Sequence, residues 1–330
     1  MDVSSEMTHF LGQVEANLSR SLVDDRAAAN GHSDTLMEAS RHLALGSGKR
    51  ARPMLVRHFS GAIGAPEEGQ VEIACAAEMI HAASLLHDDV VDTGMFRRGK
   101  PTVNARWGNV VAVLGGDLLL TAAFGKLARL DNQLTPGAIE LVAEMTRAAL
   151  AEVEARQELD LPLSQLRYIQ EGKTGSLFGW CGVAAALRAG QPEAGRRFDA
   201  FGRHLGVAFQ IADDIRDVTG TDPGKPQYAD LLSRSASLPI LLAVKRDAAL
   251  RRRIHDAWAF SSMSPEKVSE LGGAILDAGV VEQALAMMDE EIEAGLDALG
   301  PFATAPGGAA LIDWSRQLRE GIRLLIGQAA

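Results

Sequence analysis

Helical periodicity dominates the pattern of apolar and polar positions along this chain. Segments rich in Ala, Leu, Glu and Arg are separated by Gly, Pro or Asn, for example at 46–48, 135–137 and 190–192. Alternating runs of the kind found in strands, and the dipeptides of tight hairpins, are nearly absent from the sequence. The pattern predicts about a dozen helices and an all-α fold.

Several predicted helices are apolar around most of their circumference, namely those at 68–92, 110–130 and 196–217. A helix without a polar face is expected inside a bundle rather than on its surface. No linker rich in Pro, Gly or Ser divides the sequence. We therefore expect a single domain over 1–330, in which 1–30 form an N-terminal helical segment.

Composition and charge narrow the functional classes. The 330 residues are 47% hydrophobic, and 33 basic side chains against 43 acidic ones give a net charge of −10. This balance argues against general binding to nucleic acids or to anionic membranes. Cys75 and Cys181 lie in apolar surroundings without the spacing of a metal or redox site, so both are predicted to be reduced core residues.

The N-terminus and the apolar segments bear on localisation. Asp2 and Glu6 stand where a secretory signal would carry basic charge. No uninterrupted apolar stretch is expected to be long enough to span a bilayer. We therefore expect a soluble cytoplasmic protein without a transmembrane segment.

Two copies of one acidic pattern, DDxxD, indicate the chemistry. They are DDVVD at 88–92 and DDIRD at 213–217, and each follows an apolar run. On a helix, the first and last Asp of each copy lie on one face, and like charges at that spacing destabilise the helix unless a cation compensates them. Carboxylate oxygens without nearby Cys or clustered His favour a hard ion, so Mg²⁺ is predicted. A solvated helix surface is the alternative, which two matched copies disfavour.

Basic residues flank both acidic motifs. The clusters are Lys49, Arg50 and Arg52 before a proline, Arg97, Arg98 and Lys100 after the first motif, and Lys225 after the second. One such cluster alone is typical of a solvated surface. Beside two metal-binding motifs, the clusters predict a diphosphate that Mg²⁺ bridges to the acids and that Arg and Lys hold.

These motifs resemble, in order, those of the trans-isoprenyl diphosphate synthases, the polyprenyl synthetase family, from about Gly46 to the end of the chain. GSGKRARP at 46–53 resembles the family's GGKRxRP, IHAASLLHDDVVDTGMFRRGKPT at 80–102 matches its first aspartate-rich region, and FQIADDIRD at 209–217 matches its second. Gly116-Asp117 and Lys173-Thr174 continue the series. The resemblance implies a single large helical bundle of the isoprenoid synthase type with a central active-site cavity, and a homodimer.

The resemblance also implies a Mg²⁺-dependent condensation of isopentenyl diphosphate with an allylic prenyl diphosphate. The implied metal-binding residues are Asp88, Asp92 and Asp213, supported by Asp89, Asp214 and Asp217. Diphosphate can leave an allylic carbon only if its growing charge is neutralised, so the metal ions assist the departure of the leaving group.

Further roles are carried over to matching positions. The implied cations for the allylic diphosphate are Arg97, Lys173 and Lys225, and the implied ligands of isopentenyl diphosphate are Lys49, Arg52, His81 and Arg98. Thr174 and Gln210 would stabilise the allylic cation with their oxygens. Taken alone, His81 would be an ordinary helix histidine, but it lies two turns before Asp88 on the same face. The released diphosphate is the implied base for the final proton.

Two departures from the family pattern concern charge. The family reads DLxxGKxTLP after the second motif, whereas this chain reads DLLSRSASLP at 230–239. Ser235 therefore stands at the position of a diphosphate-binding lysine. Arg234 is a candidate replacement, although Arg and Lys are not interchangeable. Arg216, inside the second motif, could supply a compensating charge or compete with metal.

Product length follows from the residues before the first motif. Ala83 and Ser84 are small, and the resemblance implies that small residues at these positions leave the elongation tunnel open. The expected product is of medium to long chain, octaprenyl-like. Met79, Ile80, Leu119 and Phe124 are candidates for the next restriction.

Other functions remain open on the sequence. One alternative is a farnesyl or geranylgeranyl diphosphate synthase, and another is a non-catalytic regulatory subunit, which Ser235 mildly favours. A class I terpene cyclase is a third alternative, but cyclases lack the isopentenyl diphosphate ligands implied here.

For the leading function, the expected partners are the two substrates and a second copy of the chain.

Overall fold

A computed structural model describes residues 3–22, 35–46, 48–97, 99–221, 226–260 and 262–329. Their regular secondary structure is α-helical apart from one antiparallel hairpin, one π-helical turn and one 3₁₀ turn. The all-α prediction is confirmed. The described residues contain sixteen α-helices rather than about a dozen, because five-residue helices are too short to show periodicity.

The elements of the first half of the chain lead up to and follow the first acidic motif. They are α1 (Val3–Ser21), α2 (Thr35–Ala44), α3 (Ala51–Ile63), α4 (Gln70–Val91), β1 (Phe96–Arg97), β2 (Lys100–Pro101), α5 (Val103–Trp107), α6 (Asn109–Leu130) and α7 (Leu134–Glu154).

The elements of the second half include the helix that carries the second motif. They are α8 (Leu163–Gln170), a π-helical turn (Glu171–Gly175), α9 (Ser176–Arg188), α10 (Pro192–Thr219), α11 (Ala229–Ser233), α12 (Leu238–Arg246), α13 (Ala248–Trp258), α14 (Pro265–Asp277), α15 (Val280–Leu299), a 3₁₀ turn (Gly300–Thr304) and α16 (Pro306–Ala329).

The chain divides into two compact units. Unit 1 consists of Met1–Ala143, Leu177–Asp199 and Pro301–Leu311. Unit 2 consists of Glu144–Ser176, Ala200–Gly300 and Ile312–Ala330. The expectation of a single domain over 1–330 stays a prediction.

The core of unit 1 is built around α4, which packs against α1, α3 and α6. The buried residues of α4 include an unbroken run from Ile73 to Ile80, as predicted for an inner helix. The same core contains Phe59 and Phe198, whose rings are tilted by 41° with centroids 4.9 Å apart. Cys75 and Cys181 are fully buried, and burial raises the pKa of each thiol to about 12. Their prediction as core residues is confirmed.

The core of unit 2 joins the end of α10 to α12, α14 and α15. Val207, Ile211 and Ile215 line the buried face of α10, and Leu241 and Leu271 belong to the same apolar cluster. The acidic motif at 213–217 therefore lies on a helix that the core holds rigidly.

One prediction about apolar segments needs correction. α6 (Asn109–Leu130) is long and apolar enough to cross a membrane, with a mean hydropathy of 1.7 over its most apolar window, of which 33% is buried. The prediction missed this helix because Asp117, Lys126 and Arg129 interrupt its apolar residues, although its mean hydropathy remains high. One face of α6 packs on α4, while Val110, Val113 and Leu114 are exposed.

Candidate active site

The first acidic motif lies at the C-terminal end of α4. Asp88 and Asp89 belong to its last turn, and the backbone N–H of Asp92, the next residue after the helix, donates to the Asp88 carbonyl at 2.8 Å. A helix C-terminus carries partial negative charge, so three carboxylates there repel the helix dipole as well as each other. Asp88 is half-buried and Asp92 is exposed. This end of α4 is therefore electrostatically suited to a cation.

The middle carboxylate of this motif holds an arginine. Asp89 is 4% exposed, and its Oδ1 accepts hydrogen bonds from Arg97 Nε at 3.0 Å and Nη2 at 2.8 Å. Asn104 Nδ2 donates to the carbonyls of Asp89 (3.2 Å) and Gly94 (3.0 Å), which ties the following loop to α4. Asp89 thus fixes Arg97 beside the motif, as a supporting residue would.

The second motif lies near the C-terminal end of α10, and two of its carboxylates organise the segment that follows. Asp217 accepts from the backbone N–H groups of Ala229 (2.9 Å) and Asp230 (3.3 Å). Asp214 accepts from the N–H of Leu238 at 3.1 Å and from Gln170 Nε2 at 3.3 Å. These bonds hold 229–238 against α10.

Asp214 is half-buried. Burial raises the pKa of Asp214 well above its ordinary value, and the nearby Asp230 carboxylate raises it further. Asp213, by contrast, keeps 42% of its side chain exposed, and its Oδ1 accepts from Arg216 Nη1 at 2.6 Å. In this motif, Asp213 is the carboxylate accessible to a ligand.

Lys173 and Thr174 lie in the π-helical turn between α8 and α9. Turns of this kind are rare and often occur at functional sites. The Lys173 ammonium forms an ion pair with Glu152, and Thr174 is 8% exposed. The turn therefore supplies a cation and a sheltered hydroxyl in adjacent positions.

Two glycines bring this turn onto α10. A Cβ at Gly206 would lie 2.3 Å from the Cα of Gly175, and a Cβ at Gly175 would lie 2.8 Å from the Arg203 carbonyl oxygen. Backbone meets backbone at this crossing, so both positions require glycine. Gln210 follows Gly206 by one helical turn. Unit 2 thus brings Lys173, Thr174 and Gln210 to the helix of the second motif.

The implied isopentenyl diphosphate ligands that the structure describes all lie in unit 1. Lys49 is exposed just before α3, and Arg52 lies in the first turn of α3 with its guanidinium carbon 5.3 Å from the ring centroid of Phe178. His81 is half-buried in α4, two turns before Asp88. Arg98 and Lys225 lie outside the described residues.

The segment around Ser235, where the family carries a diphosphate-binding lysine, differs from the family pattern. Arg234 has φ 61°, in the left-handed region that favours glycine, which is the family's residue there. Its Nη2 donates to the carbonyl of Phe260 at 2.5 Å. The candidate replacement for the missing lysine is therefore engaged with a backbone carbonyl. The backbone N–H of Ser235 donates to the Asp230 carbonyl at 2.8 Å.

The donor atoms fit Mg²⁺. Within the part of the chain that the structure describes, no three His, Cys, Asp or Glu side chains are grouped as a complete metal site. Mg²⁺ is typically bound by one or two carboxylates together with waters and substrate phosphates, so a ready-made protein cage is not required. Asp88, Asp92 and Asp213 offer accessible carboxylates at helix ends where a cation is favourable.

Several residues of this region did not stand out in the sequence. Glu152 binds Lys173, Gln170 binds Asp214, and Asn104 binds the loop after the first motif. Gln170 lies only three residues before Lys173, which is a weak indication in the sequence that it belongs to this region. No such indication exists for Glu152 and Asn104, because their contacts span 21 and 10 residues.

Comparison with known proteins agrees with the motifs. A model of the polyprenyl synthetase family matches residues 33–274. The chain is 33% identical over 305 residues to heptaprenyl diphosphate synthase component 2 of Geobacillus stearothermophilus, over 89% of this chain and 90% of that protein. It is 34% identical over 268 residues to the octaprenyl diphosphate synthase of Haemophilus influenzae, over 78% of this chain and 80% of that protein.

A solved structure shows the same fold. The polyprenyl synthase of Caulobacter crescentus, complexed with calcium and isoprenyl diphosphate, matches with a TM-score of 0.84 and 26% identity over 96% of this chain and 97% of that chain. The family resemblance of the motifs is thus confirmed by sequence and by fold. The chain belongs to the polyprenyl synthetase family and is a prenyltransferase.

Proposed function

We propose that this protein condenses isopentenyl diphosphate with an allylic prenyl diphosphate to form a longer all-trans prenyl diphosphate in a Mg²⁺-dependent reaction. The observation that carries the proposal is the accessible carboxylates of two DDxxD motifs at helix C-termini, Asp88 and Asp92 on α4 and Asp213 on α10. The Caulobacter relative, complexed with calcium and isoprenyl diphosphate, supports a divalent ion in this chemistry.

The first step is ionisation. Asp88, Asp92 and Asp213 would hold Mg²⁺, which would neutralise charge on the leaving diphosphate. The allylic C–O bond breaks, and the diphosphate departs with the electron pair. Arg97 and Lys173 donate to its oxygens, since positive groups aimed at developing charge lower the barrier. Lys225 is the third proposed cation.

The second step is condensation. Lys49, Arg52, His81 and Arg98 hold isopentenyl diphosphate, and the electrons of its double bond form the new C–C bond to the allylic carbon. The hydroxyl of Thr174 and the side-chain oxygen of Gln210 stabilise the allylic cation. A proton then passes to the released diphosphate, and the double bond of the product forms.

The product is of medium to long chain, octaprenyl-like. Ala83 is fully buried and small, so it does not obstruct a tail that runs along α4. Met79, Ile80 and Leu119 are fully buried larger residues in unit 1 and are candidates for the restriction that ends growth, as is the half-buried Phe124. Heptaprenyl and octaprenyl synthases are among the relatives, as are farnesyl diphosphate synthases, so the small residues before the first motif carry this proposal.

The protein acts in the cytoplasm as a homodimer. On α6, the exposed residues Val110, Val113, Leu114, Asp117 and Thr121 recur at helical spacing and form one stripe. A mostly apolar stripe on one helix suits pairing with its own copy about a two-fold axis.

The test is elongation. Purified protein is incubated with Mg²⁺, isopentenyl diphosphate and farnesyl or geranylgeranyl diphosphate, and the products are read by mass spectrometry. The expected result is a prenyl diphosphate longer than its primer, with a chain length that locates the restriction. A folded protein that elongates no primer would contradict the proposal.

A second candidate is one component of a two-chain synthase. The name of the Geobacillus relative, component 2, favours it. In that case the purified chain alone is inactive with every primer, and activity appears on adding a second, different protein.

A further inference from the structure

Arg216 lies against the first carboxylate of the second motif instead of extending into solvent. It follows Asp213 by one helical turn on α10, and its side chain is 16% exposed, whereas that of Asp213 is 42% exposed. The Nη1 group donates to Asp213 Oδ1 at 2.6 Å. A guanidinium is thus held within an acidic motif, at the carboxylate that is accessible to ligands.

The segment that would carry a family lysine lies on the same motif. Asp217 binds the backbone of Ala229 and Asp230, and Asp214 binds the backbone of Leu238. Ser235 lies between these anchors. Ser235 and Arg216 therefore both lie close to the second motif, in unit 2.

No other basic side chain of this segment can take the place of the lysine. Among the described residues 226–238, Arg234 is the only Lys or Arg in the sequence. Its guanidinium donates to the carbonyl of Phe260, and its left-handed backbone fixes the direction in which the side chain leaves. A serine hydroxyl at 235 is uncharged and short.

We infer that Arg216 is a diphosphate-binding residue that supplies the positive charge absent at Ser235. The inference rests on the proposed function and deepens it. In the structure Arg216 is paired with Asp213. With Mg²⁺ on that carboxylate, the guanidinium would donate instead to an oxygen of the allylic diphosphate, for which its planar pair of N–H donors is well shaped.

The test measures binding without turnover. The probe is farnesyl thiolodiphosphate, an allylic analogue that ionises very slowly, titrated calorimetrically into full-length protein at fixed Mg²⁺. The variants are Arg216→Gln, Arg216→Lys, Ser235→Lys and the double variant Arg216→Gln/Ser235→Lys. The matched control is Arg316→Gln on α16, which removes another arginine that pairs with an aspartate three residues before it.

Arg216→Gln is expected to weaken analogue binding about 10-fold or more, the usual effect of losing a charge-assisted hydrogen bond. Ser235→Lys in that background should restore most of the affinity, which a merely structural role of Arg216 would not allow. Arg216→Lys should fall between the two, and Arg316→Gln should match wild type.

Two results would overturn the inference. If Arg216→Gln binds the analogue as well as wild type while needing less Mg²⁺, Arg216 only competes with the metal. If the double variant stays as weak as Arg216→Gln although circular dichroism shows both folded, charge is not what Arg216 supplies. Failure of wild type itself to bind the analogue with Mg²⁺ would overturn the proposed function as well.

Discussion

Each acidic motif divides its carboxylates by what they contact. Asp89, Asp214 and Asp217 bind an arginine or backbone N–H groups and organise the residues around them. Asp88 and Asp92 lie at the accessible end of α4, and Asp213, although it also accepts a hydrogen bond from Arg216, keeps 42% of its side chain exposed. The family resemblance implies that Asp88, Asp92 and Asp213 bind metal and that the others support them, and these roles stay a prediction.

Replacing an accessible carboxylate tests this division. Asp88→Asn removes a charge without changing volume, so we expect the fold to persist while kcat falls about 10²- to 10³-fold, as for loss of one electrostatic stabiliser. Elongation assays over a range of Mg²⁺ concentrations measure the effect. Asp256→Asn, at an exposed carboxylate on α13, is the control and should leave kcat unchanged. Equal rates in the two variants would remove Asp88 from the site.

At the scale of elements, close helix contacts set the geometry of the site. The π-helical turn of Lys173 and Thr174 is pressed on α10 through Gly175 and Gly206. In unit 1, a Cβ at Gly116 of α6 would lie 2.2 Å from His87 Nε2. The His87 side chain of α4 therefore packs against α6. Small residues at crossings determine how closely the elements carrying the site approach.

Gly206→Ala is expected to separate the π-helical turn from α10. The added methyl would meet backbone, which cannot move aside like a side chain, so the unfolding free energy should drop by about 1–3 kcal/mol. Elongation should fall with it, because Thr174 and Gln210 move apart. Chemical denaturation and initial rates measure the two effects.

The control for this variant is Gly273→Ala on α14, where nothing lies within 4 Å of the new Cβ. Alanine has the higher helix propensity, so Gly273→Ala should stabilise by up to about 1 kcal/mol. Destabilisation of both variants to the same degree would mean that the crossing at Gly206 has no special role.

At the scale of the whole molecule, the exposed stripe of α6 predicts assembly. Val113→Glu places a charge in the proposed dimer surface, where it would be buried without a partner. Light scattering coupled to gel filtration should give twice the 35.1 kDa chain mass for wild type and the chain mass for the variant. Leu324→Glu, at a 63% exposed position on α16, is the control and should stay dimeric. A monomeric wild type would contradict the prediction.

Stability should depend on pH through His58. Burial, with Arg57 adding to it, lowers the pKa of His58 from 6.5 to about 4, so the imidazole is neutral in the fold. Below pH 6.5 the unfolded chain binds the proton first. Above pH 6.5 the buried neutral His58 therefore does not lower the free energy of unfolding. As pH falls from 6.5 towards 4, the free energy of unfolding decreases, by about 2 kcal/mol at pH 5.

Denaturant unfolding between pH 7.5 and 5 measures this loss. His58→Gln should be less stable at neutral pH but should lose less stability on acidification. His255→Gln, at an exposed histidine on α13, serves as the control and should follow wild type. The same pH slope in wild type and His58→Gln would assign the acid sensitivity to other groups.

Local features of the chain were predictable because sequence-local physics determines them. The helical period of Gln70–Val91 and its apolar circumference predicted an inner helix, and the spacing of the DDxxD motifs predicted paired carboxylates. The core cysteines followed from their apolar neighbours. The short helices α5 and α11 did not, since five residues carry too little periodicity.

Residue type and spacing were enough to give the helical class, the family, and the identity of the acidic and basic residues. Which of these charges meet depends on how the helices pack. Arg216 rather than Arg234 contacts the second motif, and Glu152 rather than a nearer residue pairs with Lys173. Glu152 and Lys173 are 21 residues apart, so their pairing depends on helix packing and leaves no local pattern. Arg216 and Asp213 are neighbours on α10, but the left-handed backbone from which Arg234 reaches the Phe260 carbonyl instead is not visible in the spacing of residues.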